Sequence, residues 1–100
     1  MNTSDHHLYS LDHLEGNGHE TLQFVEKEKC AEDGTMKLVK MGTTNEQVLE
    51  VVIDRIEAMD KKFPCIENNV ALSNLRVALG NLNERTRQRR LRGVEGKALA

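Results

Sequence analysis

Tryptophan is absent, proline occurs once, and Tyr9, Phe24 and Phe63 are the only aromatic side chains in 100 residues. Aliphatic residues must therefore supply nearly all of any apolar core. Both ends are poor in packing residues, so the part suited to folding is about 75 residues long. A domain of that size is marginal when it stands alone, which makes oligomerisation the expectation before any motif is read. Long apolar runs are missing too. None approaches the roughly 20 residues that a helix needs to cross a bilayer, and the start of the chain has neither the basic head nor the apolar run of a signal peptide. Cys30 and Cys65 stand apart without a CxxC or CxxH partner, and both read as reduced thiols of a cytosolic protein.

Catalytic motifs are also wanting. The sequence contains no Ser/His/Asp order, no HxxEH or HxHxD metal spacing and no Walker glycine loop, and Cys65 has no histidine near it in sequence. Glu46, Glu50, Asp54 and Glu57 recur at three- and four-residue spacing, the pattern of a solvated helix face. His6, His7, His13 and His19 all fall in the first 20 residues, unaccompanied by cysteine or a tight carboxylate set, and do not make a metal site. The expectation is a protein without catalytic residues, metal or cofactor.

The charge that is present is unevenly placed. The net charge is −2, but residues 1–42 hold eight acids against four bases, whereas residues 65–100 hold three acids against seven bases. A basic end suits an anionic partner, and it also suits the solvated end of a helix.

Residues 1–20 mix polar, acidic and glycine residues with scattered leucines and read as a flexible arm. TLQFVE at 21–26 and TMKLVKM at 35–41 alternate apolar and polar residues at the strand period of two, and Asp33-Gly34 marks a turn before the second. They read as an antiparallel hairpin with a long loop, which needs something to lie on. Two helices follow. Thr43 with Glu46, and Thr44 with Gln47, both match a capping box. The first helix should run from about Asn45 to Lys61, with Val48, Leu49, Val52, Ile53, Ile56 and Met59 on one face. Phe63-Pro64-Cys65 interrupts it. The second should start near Cys65 or Ile66 and continue to Leu91 or Arg92 before Gly93, with an apolar stripe of Ala71, Leu72, Leu75, Ala78, Leu79 and Leu82. The short connection makes the pair an antiparallel hairpin. The fold class expected is α+β, mainly α: a short antiparallel β-hairpin or sheet packed on a helical hairpin, in one domain over residues 21–93, with a tail over 94–100 and oligomerisation through the helices.

The second helix outruns the first by on the order of 14 Å, and the projecting end carries arginine at 85, 87, 89, 90 and 92. Arg85, Arg89 and Arg92 share a face at i, i+4 and i+7. Guanidinium groups grip phosphate through paired hydrogen bonds and stack on bases, so this column suits a phosphate-bearing ligand; a solvated basic helix end is the plain alternative. Asn68 lies in the first turn of the same helix, about 25 Å from Arg85 along the axis. The two cannot hold one small molecule from a single chain, but two copies packed antiparallel about a two-fold axis would bring Asn68 of one to Arg85 and Arg89 of the other, twice over.

Residues 43–96, TTNEQVLEVVIDRIEAMDKKFPCIENNVALSNLRVALGNLNERTRQRRLRGVEG, resemble the hairpin-domain sponges of phages, which counter the CBASS and Thoeris bacterial defence systems. The shared pattern is TNE, an aliphatic IDR segment, FPC followed by EN, an aliphatic helix, and then RT, R and RGVEG. The resemblance implies an N-terminal antiparallel sheet with two helices, assembled into dimers and often hexamers in the cytoplasm of the infected host. It implies capture without cleavage of cyclic oligonucleotides or cyclic ADP-ribose isomers. It carries ligand binding to Asn68, Arg85 and Arg89, and, for a second pocket at a higher-order junction, to Arg92 and Gly93. CIENN replaces the more common CRENA, and LSNLRVAL the usual LTKLEEAL. Other readings of the same residues are a scaffold or inhibitor that binds another protein, a nonspecific nucleic-acid binder, and a phosphodiesterase acting on the same signals.

Overall fold

The computed structural model describes residues 1–29 and 32–92. The expectations for Cys30, Gly93 and the 94–100 tail lie outside the described residues. The chain divides into two units, a β unit ending at Thr44 and a helical unit beginning at Asn45.

The β unit opens with β1 (Asn2–Thr3), β2 (Leu8–Asp12) and β3 (His19–Gln23), an antiparallel sheet in the order β1-β2-β3. The expected flexible arm is therefore corrected, because residues 1–20 form two strands and the start of a third. Local hydrogen bonding explains why so polar a segment is ordered. Thr3 Oγ1 accepts the amide of His6, which lies in the left-handed region with φ 64°, and Asp5 Oδ1 accepts the amides of His7 and Leu8 at 2.9 and 3.1 Å. This Asx turn reverses the chain between β1 and β2. The two backbone donors also hold the Asp5 carboxyl below its ordinary range. Gly16, at φ 84°, turns the chain again, and the amide of His13 donates to the Gly18 carbonyl to close that loop.

A second sheet pairs β4 (Glu26–Lys29) with β5 (Met36–Lys40). Here the expected hairpin is corrected. Residues 21–23 pair with β2, and β5 takes as its partner the charged segment that reads as a loop. Its register explains the choice, since Glu26 stands opposite Lys40 and Glu28 opposite Lys37, and opposite charges across a ladder stabilise it. Asp33 Oδ1 accepts both the amide and the hydroxyl of Thr35 in the connecting turn, where Gly34 has φ 76°. Between the sheets, Phe24 bridges to Thr43 in parallel, and its ring meets Tyr9 edge to face at 5.7 Å between centroids.

The helical unit is α1 (Asn45–Lys62) and α2 (Ile66–Leu91), packed as a pair. Both fall within a residue of where periodicity and Pro64 put them. Ile53 and Leu72 are its buried residues, flanked by half-buried Val48, Leu49 and Ile56 on α1 and Ala71, Leu75, Leu79 and Leu82 on α2. On α2, Ala71 aside, the half-buried and buried positions 68, 72, 75, 79, 82, 86 and 89 alternate at four and three residues, the spacing of a seam that follows a neighbouring helix. Val52, Met59 and Ala78, assigned to the apolar stripes by period, are exposed. So are Ile66, Val70 and Val77, which form a second apolar line along α2.

Candidate site on the second helix

The site residues expected from sequence divide between the two ends of α2. At the hairpin turn, Asp60 in the last turn of α1 directs one carboxylate oxygen at the start of α2. That oxygen accepts the Cys65 amide at 3.1 Å and the Asn68 side-chain amide at 3.2 Å. The N-cap residue Cys65 contributes no side-chain cap of its own, so Asp60 takes over part of the duty that a capping side chain performs. Asn68 is half-buried, and its neighbours Cys65 and Ile66 are exposed.

At the other end, α2 has 26 residues against 18 in α1. The difference carries its last two turns about 12 Å beyond the length of its partner. The five arginines there are not equivalent. Glu84 receives Arg87 through two parallel bonds, from Nε at 2.8 Å and from a terminal nitrogen at 2.7 Å, and it also accepts the Gln88 amide at 2.9 Å. Arg87, then Gln88, hold the Glu84 carboxyl down to about 2, and Glu84 in turn raises Arg87. Arg87 is thus committed within the helix. Arg85, Arg89 and Arg92 lie on another line, with Arg85 and Arg92 exposed and Arg89 half-buried. No carboxylate pairs with Arg85 among the described residues. The Arg92 amide closes the helix on the Gln88 carbonyl at 3.0 Å.

Within one chain the structure brings Asn68 to Asp60 and leaves it 17 positions from Arg85 along the same helix. Sequence reasoning passed over Asp60. Its signal was an acid in the last turn of a helix, where the macrodipole disfavours it. It also left out the Glu84–Arg87 pair, which the i, i+3 spacing announces.

Elsewhere, His13 Nε2 meets Glu20 at 2.6 Å and His7 Nε2 lies 3.5 Å from Glu26. Among the described residues no three His, Cys, Asp or Glu side chains gather as a metal site would require. A cleft of about 440 Å³ on the first sheet is lined by hydroxyl side chains such as Thr3, Ser10 and Thr21, and holds none of the expected site residues. No described helix is long and apolar enough to cross a membrane.

No protein-family model matches the chain, and no solved structure matches it. A curated protein named Thoeris anti-defense 1, from Bacillus phage SBSphiJ7, is 43% identical over 56 residues, which are 55% of this chain and 39% of that relative. The chain thus spans well under half the length of the relative it matches. The resemblance to phage anti-Thoeris proteins read from residues 43–96 is borne out by this similarity.

Proposed function

We propose that the chain is a phage anti-defence protein directed against Thoeris, and that it works as a sponge, binding a cyclic nucleotide signal without cleaving it. The observation that carries this reading is the arginine column at the free end of α2. Its geometry suits phosphate: Arg85, Arg89 and Arg92 share one line, and Arg87, which Glu84 holds, lies off it. The similarity to a phage protein named Thoeris anti-defense 1 supports the anti-defence part of this reading, and the setting that the reading requires is the cytoplasm of an infected host.

The pocket is completed by a second copy. Two α2 helices packed antiparallel, with Asn68 opposite Arg85, set the two-fold axis between Arg76 and Val77 and bring Ser73 opposite Gly80. An exposed apolar line on the side of α2 away from Asn68 suits a further covering partner: Ile66, Val70 and Val77 are 72%, 55% and 65% exposed, more apolar surface than so small a helical unit leaves uncovered without a reason. A Cβ added at Gly80 would meet no atom within 4 Å, so that crossing is open to close approach. Asn68 then reads ribose or base edge and the arginines hold phosphate, with Arg92 and Gly93 serving a second pocket in a higher-order assembly such as a hexamer. Sequestration follows from mass action, which requires tighter affinity than that of the defence effector and a protein concentration above that of the signal.

The test is calorimetric titration of the purified chain with cyclic dinucleotides, cyclic trinucleotides and cyclic ADP-ribose isomers, followed by analysis of the ligand. Submicromolar binding with intact ligand is the expected result, and cleaved ligand would indicate a phosphodiesterase instead. Arg85→Ala or Arg89→Ala should weaken binding at least tenfold and leave the oligomer intact. The same exposed apolar line also supports a second reading, a scaffold or inhibitor that docks on another protein, and absence of binding across the whole panel would favour it. Loss of duplex binding alone in the arginine variants would favour a nonspecific nucleic-acid binder.

A further inference from the structure

We infer that Asp60 sets the polarity of Asn68, so that this end of the pocket accepts hydrogen bonds and receives the hydroxyl- or N–H-bearing part of the ligand, while its phosphates go to the arginine end. The inference rests on the sponge reading and adds to it the orientation in which the ligand lies. An ionised carboxylate only accepts hydrogen bonds. Asp60 Oδ1 already receives the Cys65 amide at 3.1 Å, and Asn68 lies 3.2 Å from the same oxygen. The Asn68 amide must therefore turn its NH2 group to Asp60, because the flipped amide would set oxygen against oxygen. Its carbonyl oxygen is left pointing away from Asp60, where two lone pairs can accept from a ligand.

Charge works in the same direction. A phosphate held by the remaining Asn68 N–H would stand within one side chain of the Asp60 carboxylate, with repulsion on every approach. A ribose hydroxyl or a base N–H carries no such penalty and meets an acceptor. Asp60 touches neither ligand nor solvent-facing arginine in this arrangement, so it is a positioning residue. Its place in the last turn of α1, against the helix dipole, is explained by the same bonds, which tie the Cys65 amide and Asn68 to one oxygen.

The orientation is read first without ligand, by NMR of the full chain. One Asn68 side-chain amide proton should show a through-hydrogen-bond coupling to the Asp60 carboxyl carbon that Asp60→Ala removes. Absence of this coupling in the wild-type chain overturns the assignment. Binding is then measured with cyclic di-AMP and cyclic ADP-ribose, each beside counterparts carrying 2′-fluoro and 2′-deoxy substitutions, which lose the donor without adding bulk. For the probe that binds, loss of the donor should weaken affinity about tenfold. Asp60→Ala should shrink that difference to under about threefold, with the signal at 222 nm showing that α2 persists, and Asp60→Asn, which keeps an acceptor oxygen, should restore it. Equal affinity for parent and substituted probes, or undiminished discrimination in a folded Asp60→Ala chain, overturns the inference. Failure of the wild-type chain to bind any nucleotide of the panel sinks the sponge reading and the ligand assignment with it, while the coupling still decides whether Asp60 orients Asn68.

Discussion

Replacing Leu72 by alanine probes what holds the helical hairpin, and pairing it with Val77→Ala probes what covers it. Leu72 is 5% exposed. Removing its three outer carbons forfeits about 2.4 kcal/mol at about 0.8 kcal/mol each. The cavity left behind brings the loss to about 3 kcal/mol, inside the range of about 2–5 kcal/mol for such truncations. In a chain of this length each kcal/mol moves the unfolding midpoint by about 4–8 °C, so Tm should fall by roughly 12–24 °C. The readout is circular dichroism at 222 nm, where α1 and α2 dominate the signal. Val77, 65% exposed in the single chain, should cost no more than about 0.5 kcal/mol when nothing covers it. If a second copy covers the apolar line of Ile66, Val70 and Val77, Val77→Ala should instead cost more than about 1 kcal/mol, on the order of a lost methyl pair in a core, and Tm should rise with protein concentration. A fall of less than about 4 °C for Leu72→Ala would refute the packing argument, and a concentration-independent Tm with a silent Val77→Ala would refute the covered face.

Gly42→Ala should destabilise the β unit by about 1–3 kcal/mol, because an added Cβ would collide with the Phe24 carbonyl carbon, the Gln23 oxygen and the Val25 nitrogen, all backbone atoms; thermal unfolding measures it. Gly80→Ala, with open space around it, should raise the stability of a lone chain by about 0.5–1 kcal/mol through helix propensity; it should weaken an assembly whose helices cross there, so sedimentation velocity beside the melting curve separates the two. Glu84, held near 2 in the folded chain against an ordinary value of 4.5, contributes its pairing fully above pH 4.5 and loses it as pH falls through 2. A carbon-13 titration of its carboxyl should show that low midpoint, and a midpoint at the ordinary value would mean that Arg87 is not held.

The helices were legible because their signals are redundant. Apolar period, Pro64 and the Lys61-Lys62 end agree on Asn45–Lys62, and the same pattern carries Ile66–Leu91. The strands were legible only where apolar residues alternate, as in Met36 and Leu38. The β4 segment Glu26–Lys29 has no apolar face, and its pairing is encoded in charges across the ladder, which a hydrophobic period cannot register. The first two strands depend on the Asp5 turn, whose signal is a single residue within a polar stretch. At the site, spacing alone put Arg85, Arg89 and Arg92 on one line. The i, i+3 spacing of Glu84 and Arg87 announces their pair, whereas the hold of Asp60 on Asn68 is a fact of three dimensions, joining residues eight positions apart across a break in the helices.

Among the described residues β4 pairs with β5 alone, which has a consequence for crowded conditions. A two-stranded ribbon exposes backbone donors and acceptors on both outer sides, and such edges invite strand-by-strand accretion of neighbouring molecules. Here one edge runs Glu26-Lys27-Glu28-Lys29 with a bulge at its start, and the other carries Lys37 and Lys40. On the sponge reading proposed above, the protein would have to accumulate to the level of the signal it captures, and these charged edges would favour discrete molecules over fibres.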